Sequence, residues 1–123
     1  MTANDRRQRE KRGRAAETRA AWALRLKGYR IAGRRVRTPA GEIDMVAMRG
    51  DVVAFVEVKA RASLEQAAAS VSAGQRRRIV RAAAHYVAAN PGLAGMTHRF
   101  DAVFVVPRKW PYHVINAWPE SPD

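Results

Sequence analysis

The stretch from Glu42 to Lys59 constrains the fold of this chain more than any other. Glu42 to Met48 alternates in character along the chain, and Val52 to Lys59 is dense in β-branched residues. Between them lies Arg49-Gly50-Asp51, and a two-residue Gly-Asp turn joining two such runs is a hairpin signal. With Gly50 and Asp51 as turn residues the register follows: Arg49 opposite Val52, Met48 opposite Val53, Val46 opposite Phe55, Asp44 opposite Glu57 and Glu42 opposite Lys59. Side chains alternate with period two. Asp44, Val46 and Met48 therefore share a face with Val53, Phe55 and Glu57.

That register carries a chemical consequence. Opposed side chains on one sheet face have Cβ atoms about 4.5–5.5 Å apart, and two carboxylates at that distance repel. A bound divalent cation, a shared proton or a neighbouring positive charge would offset the cost. Lys59, two residues from Glu57 on the same face, can supply the last. Carboxylates, water and a substrate phosphate are the ligands Mg²⁺ takes. An exposed pair balanced by an ordinary cross-strand lysine is the plainer alternative, although Val53 and Phe55 make this face less than fully solvated.

The rest of the chain supplies flanking elements. Arg14 to Lys27 reads as a helix, with Ala16, Ala20, Ala23 and Lys27 on one stripe, Trp22 and Leu26 beside it, and Gly28 placed to end it. Tyr29 to Thr38 is strand-like and Pro39-Ala40-Gly41 turns the chain. Residues 60–74 carry no clear signal. Gln75 to Ala89 reads as a second helix with Ile79, Val80, Ala83 and Val87 facing inward, stopped by Asn90-Pro91-Gly92. Arg99 to Val106 is a continuous apolar strand of the kind buried on both faces, and Tyr112 to Trp118 is a last short one. The order is α-β-β-β-α-β-β, an α/β fold with a mixed central sheet. The 123 residues suit one domain, taken as 14–118, with residues 1–13 a disordered basic arm and 119–123 a tail.

Charge points to the partner. Lys and Arg number 23 against 11 acids, for a net charge of +12. Residues 1–37 hold 13 of the cations against 3 acids, net +10, and the remainder is net +2. Such clustering suits a polyanion, most often nucleic acid. The absence of cysteine excludes disulfides, thiolate zinc sites and thiol nucleophiles. No apolar run is long enough to span a bilayer, so a cytoplasmic protein without a membrane partner is the expectation. His85, His98 and His113 lack metal-ligand spacing. Arg76, Arg77, Arg78 and Arg81 open the second helix, where cations oppose the macrodipole unless a phosphate is held there. Arg108 to Tyr112 mixes cations with aromatics, as a base-stacking surface or an ordinary turn does.

Gly41-Glu42-Ile43-Asp44 followed by Phe55-Val56-Glu57-Val58-Lys59 and Arg61 resembles the GEID…FVEVK-R core of the YraN-like family of small bacterial proteins. Arg12-Gly13-Arg14 with Glu17, Gly28-Tyr29-Arg30-Ile31, Gln75 to Ile79 and Arg99-Phe100-Asp101 extend the resemblance across residues 12–118. The family in turn resembles the PD-(D/E)XK nucleases, particularly Holliday-junction resolvases, which implies a restriction-endonuclease-like core. By that resemblance Asp44 and Glu57 are metal ligands, the Val58 carbonyl completes the site, Lys59 is catalytic, and Glu17 joins through a water or second metal. Alone, Glu17 reads as an acid balanced by its own helix. Arg12, Arg14, Arg76, Arg77 and Arg78 are candidate phosphate contacts. Glu42 reads as the partner of Lys59 or a supporting acid, and Gln75 stands where the family usually has Lys. Ala16 replaces the Gly that commonly precedes the first-helix Glu.

The leading expectation is an Mg²⁺- or Mn²⁺-dependent endonuclease that hydrolyses phosphodiesters of DNA, ahead of RNA, with branched DNA favoured. The alternative is a non-catalytic nucleic-acid-binding protein on the same fold. A basic adaptor for an acidic protein ranks third. A homodimer follows only for a junction substrate, which needs two active sites.

Overall fold

The computed structural model describes residues 2–120, with the side chains of residues 4–12 outside the description. Its centre is a five-stranded mixed sheet in sequential order: β1 (Arg30–Thr38), β2 (Gly41–Arg49), β3 (Val52–Ala60), β4 (Thr97–Val105) and β5 (Tyr112–Val114). Neighbours are antiparallel except β3 and β4, which are parallel. That parallel step needs a crossover, and the crossover carries two helices, α2 (Leu64–Ala69) and α3 (Ala73–Ala89). Helix α1 (Ala3–Leu26) covers the other face.

The hairpin forms in the register its sequence dictates, from Arg49↔Val52 to Met45↔Val56. Gly50 takes the left-handed φ of 59° that a tight hairpin turn asks of glycine. On one face Met45, Ala47, Ala54, Val56, Val103 and Val105 meet Ala16, Ala20, Ala21 and Leu24 of α1. On the other, Val46, Val53, Phe55 and Phe100 meet Ile79, Ala82 and Ala83 of α3 and Trp118. Alanine-rich α1 thus lies close against the sheet, while aromatic rings fill the wider layer opposite: Phe55 stacks on Phe100 at 5.7 Å and Phe100 on Trp118 at 6.1 Å.

Three elements depart from expectation. Helix α1 begins at Ala3 rather than Arg14, so the segment expected as a disordered arm has helical backbone. Arg, Gln, Glu and Lys are good helix formers even without an apolar stripe, which a reading by periodicity ignores. Lys27 is exposed and lies outside α1. The uncertain segment holds α2, capped by the Ser63 hydroxyl accepting from Gln66 N–H at 3.1 Å. The last strand ends at Val114, because Asn116 turns away with a left-handed φ of 57°. Of the expected tail, residues 121–123 lie outside the described residues.

Candidate metal centre

The β2–β3 ladder stops at Met45↔Val56. One residue further, where Asp44 would face Glu57 in a regular pair, the strands part. β3 remains paired to β4 through Ala60 and β2 remains paired to β1 through Gly41, so the opening lies between β2 and β3. The Asp44 carboxylate fills the missing acceptor position: Val58 N–H donates to its Oδ2 at 2.8 Å. The gap becomes a cleft of about 620 Å³ whose walls carry Glu17, Asp44, Glu57, Val58 and Lys59.

Asp44 and Glu57 are brought together at this opening, close enough for the charge of Glu57 to bear on Asp44. Burial, then the charge of Glu57, pushes Asp44 up to about 7, against the lowering effect of the Val58 N–H. Burial raises Glu57 as well, and Lys59 opposes the rise. Lys59 Nζ lies 3.3 Å from Glu57 Oε1, both side chains being nearly buried. An ammonium has no acceptor, so the Gln75 amide oxygen faces it. In that orientation Oε1 accepts from Lys59 Nζ at 3.0 Å and Nε2 donates to the Ser70 carbonyl at 2.9 Å. The opposite orientation gives a 3.3 Å capping-box bond from Ser72 N–H and sets an NH₂ against the lysine, which is the poorer arrangement. Gln75 thereby ties the start of α3 to the centre of the cleft.

Glu17 enters from α1 on the same cleft, 7% exposed, and is held by Arg35, whose Nε donates to Oε1 at 2.8 Å. Arg34 adds a longer contact at 3.9 Å. Arg35 adopts a left-handed φ of 51°, which costs about 1–2 kcal/mol outside glycine. Sequence reading missed Arg35. Its signal was the β1–β2 turn, since Thr38↔Gly41 pairing carried back places residue 35 opposite Asp44.

The other candidates are divided. Glu42 does not partner Lys59: it lies opposite Arg37 at 3.9 Å, because β2 follows β1 where it leaves β3. Arg78 reaches past Gly41 and its charge is felt at Glu57. Arg76 instead lies over Trp118, 6.0 Å from the ring centroid, with its Nε buried, and Arg77 is exposed beside the same ring. Arg14 is exposed on α1, and the Arg12 side chain lies outside the described residues.

A second buried acid sits on β4, the neighbour of β3. Asp101 of β4 is fully buried. Arg99 grips it with two bonds of 2.9 and 2.8 Å, His113 Nε2 lies at 2.8 Å, and Asn116 N–H donates at 3.0 Å. Lys27 Nζ donates to His113 Nδ1 at 2.6 Å, which fixes Nε2 as the nitrogen that donates to Asp101. Burial alone would raise Asp101, but the bonds from His113, Arg99 and Asn116 win and hold it below the usual carboxylate range.

The donor set at the cleft decides what cation would fit. Among the described residues no three of His, Cys, Asp and Glu side chains converge as a protein-built metal cage. Two under-compensated carboxylates facing one cleft match Mg²⁺, which takes one or two carboxylates and fills its remaining positions with water and phosphate oxygens.

The profile of the Uncharacterised protein family UPF0102 matches residues 16–105, which span α1 from Ala16 to the end of β4. A UPF0102 protein of Methylobacterium nodulans is 52% identical over 112 residues, 91% of this chain and 87% of the relative. One from Parvibaculum lavamentivorans is 52% identical over 106 residues, covering 86% and 80% of the two chains. One from Rhodopseudomonas palustris is 53% identical over 110 residues, covering 89% and 86%. The chain belongs to the Uncharacterised protein family UPF0102, the YraN-like family.

Proposed function

We propose that this protein is a metal-dependent nuclease acting on DNA, with Asp44 and Glu57 holding one Mg²⁺ or Mn²⁺ ion. The observation that carries this reading is the desolvated carboxylate pair at the β2–β3 opening, with Asp44 raised to about 7 and Lys59 3.3 Å from Glu57. A structural role gives no reason to bury two acids against each other, whereas a bound dication removes the penalty. When bound, the ion polarises a phosphoryl oxygen and lowers the pKa of a coordinated water.

The chain's own groups would do the rest. Lys59, clamped between Glu57 and Gln75, presents a fixed ammonium to charge developing on the phosphate. The oxygen of water adds to phosphorus as that water gives up a proton to solvent, the P–O bond to one flanking sugar breaks, and the leaving alkoxide takes up a proton from solvent. Val58 uses its N–H to aim Asp44, and its carbonyl is available to the ion. Glu17, kept by Arg35, is placed to order water at the mouth of the cleft. The net charge of +12 supplies a grip on the phosphate backbone that weakens with salt.

The test is cleavage of labelled duplex, single-stranded and four-way-junction DNA in Mg²⁺ or Mn²⁺, with Asp44→Ala and Lys59→Ala beside wild type. Wild type cuts and both variants fall by about 10²-fold or more. Equal cleavage by all three would remove the site. Salt-sensitive binding without cleavage in either metal would leave a DNA-binding protein on a nuclease-like fold.

A further inference from the structure

A second cleft, of about 540 Å³, adjoins the carboxylate cleft and is used by nothing described above. Ala16, Ala60 and Arg61 line both, so the two share a wall. Its walls are Ala15 of α1, Ala62 just after β3, and Val105 with Pro107 at the end of β4. Among the described residues Arg19 and Arg61 are its only polar side chains and no carboxylate lines it. The contrast with its neighbour, whose walls carry three acids, is complete.

The chemistry of this cleft narrows its occupant. Small apolar side chains leave flat walls, and the volume falls in the range of sites for one small organic group. Two guanidiniums call for an anion beside that group. Arg19 spends one N–H on the Lys109 carbonyl at 2.7 Å and Arg61 one on the Ala60 carbonyl at 2.8 Å. Each guanidinium carries five donors in a planar fork, a shape that suits phosphate. An extended peptide fits poorly, because the strands beneath, β3 and β4, are paired to each other and Arg61 N–H is bonded to the Val105 carbonyl, which leaves no free edge to extend. A flat ring joined to a phosphate is a nucleotide whose base is not stacked in a duplex.

We propose that the second cleft takes one unpaired nucleotide next to the phosphate at Asp44 and Glu57, so that the protein prefers DNA in which a single-stranded segment meets a duplex. This rests on the nucleic-acid reading above and names the substrate class within it. The base lies between Ala15, Ala62 and Pro107, and its phosphate meets Arg19 and Arg61.

Binding in metal-free buffer tests this apart from catalysis. Fluorescence anisotropy would compare a labelled blunt duplex with the same duplex carrying a short single-stranded tail. Wild type binds the tailed duplex about tenfold more tightly, the worth of stacking one base. Ala62→Trp and Ala15→Leu fill the cleft from two exposed positions. Each abolishes the preference for the tail and leaves blunt-duplex affinity within about twofold. Equal affinity of wild type for both DNAs overturns the proposal, as does a preference that survives both substitutions. A free deoxynucleoside monophosphate that competes as well as the tailed duplex assigns the cleft to a soluble nucleotide and overturns the strand reading. Absence of binding to either DNA removes the nucleic-acid reading itself and this subsite with it.

Discussion

Two acid clusters lie in one sheet, Asp44 and Glu57 on β2 and β3 and Asp101 on β4, and behave in opposite ways. Asp101 of β4 receives hydrogen bonds from Arg99, His113 and the Asn116 N–H and is held below the usual carboxylate range. Asp44 of β2 receives the Val58 N–H, faces Glu57, and is raised to about 7. Asp101 is fully buried and Asp44 half-buried, yet it is Asp44 that is raised, so burial is not what sets them apart. The difference is supply of donors: the first cluster is closed and complete, and the second leaves charge repulsion to be relieved by something from outside. Burial of an acid therefore says little about its role until its partners are counted.

The contrast can be broken by substitution, and the largest effect belongs to the closed cluster. Asp101→Asn leaves the Arg99 guanidinium, 15% exposed, without its carboxylate. It should lower stability by about 3–5 kcal/mol, read as a shift of the urea midpoint with the slope unchanged. Asp44→Asn should act in the other direction and gain about 1–3 kcal/mol at pH 8, a figure reduced from the full pKa shift because the cleft admits water. A loss at Asp44 as large as that at Asp101 would erase the distinction drawn between the clusters.

The pH dependence sharpens the same point. Asp44 has a folded pKa raised from 3.8 to about 7, so between those values the folded state holds the extra proton. Wild type should lose stability relative to Asp44→Asn as pH climbs from about 4 to 7, with no further change above. Asp101 has a lowered folded pKa, so its stabilisation is present above the ordinary carboxylate range and is lost as pH falls through the lower folded value. Adding Mg²⁺ at pH 8 should raise the melting temperature of wild type and leave that of Asp44→Asn unchanged. At a hundredfold excess over its dissociation constant the ion contributes about 2.7 kcal/mol. Equal shifts in both proteins would place the ion elsewhere.

The smallest effect tests the link between α3 and the cleft. Gln75→Ala should cost about 0.5–1.5 kcal/mol for the lost amide bond to the Ser70 carbonyl, and should lower DNA cleavage more than this stability change explains if Lys59 depends on the amide for its position. Ser72→Ala removes the cap without touching Lys59 and serves as the comparison. Equal activity in the two variants would reduce Gln75 to a structural tie between the start of α3 and the Ser70 carbonyl.

Much of the cleft was legible because its defining geometry is local. Asp44 and Glu57 are 13 residues apart across a two-residue turn, and the pleat alone sets which face each takes. Glu42 was misread for the same reason: the ladder rule was extended past Met45↔Val56, where the strands part. Arg76 was expected to meet phosphate and lies over Trp118 instead, a contact that depends on where the chain returns after β5. His113 gave no signal by spacing, since its partners are Lys27 and Asp101 from distant elements.

The sequence by itself determined the α/β order, the hairpin register and the facing of two carboxylates with a lysine beside them. Those rest on a period of two and a tight turn, which act over a few residues and leave few alternatives. Only the tertiary structure decided that the strands part at Asp44, that Arg35 takes Glu17, that Gln75 reaches Lys59, and that Asp101 is satisfied while Asp44 is not. Apart from Arg99, which shares β4 with Asp101, the partners come from separate elements, from 12 residues apart for Asp101 and His113 to 86 for Lys27 and His113. Such partners meet only where α1 and α3 dock on the sheet, and docking is set by the packing of the whole core rather than by any local pattern.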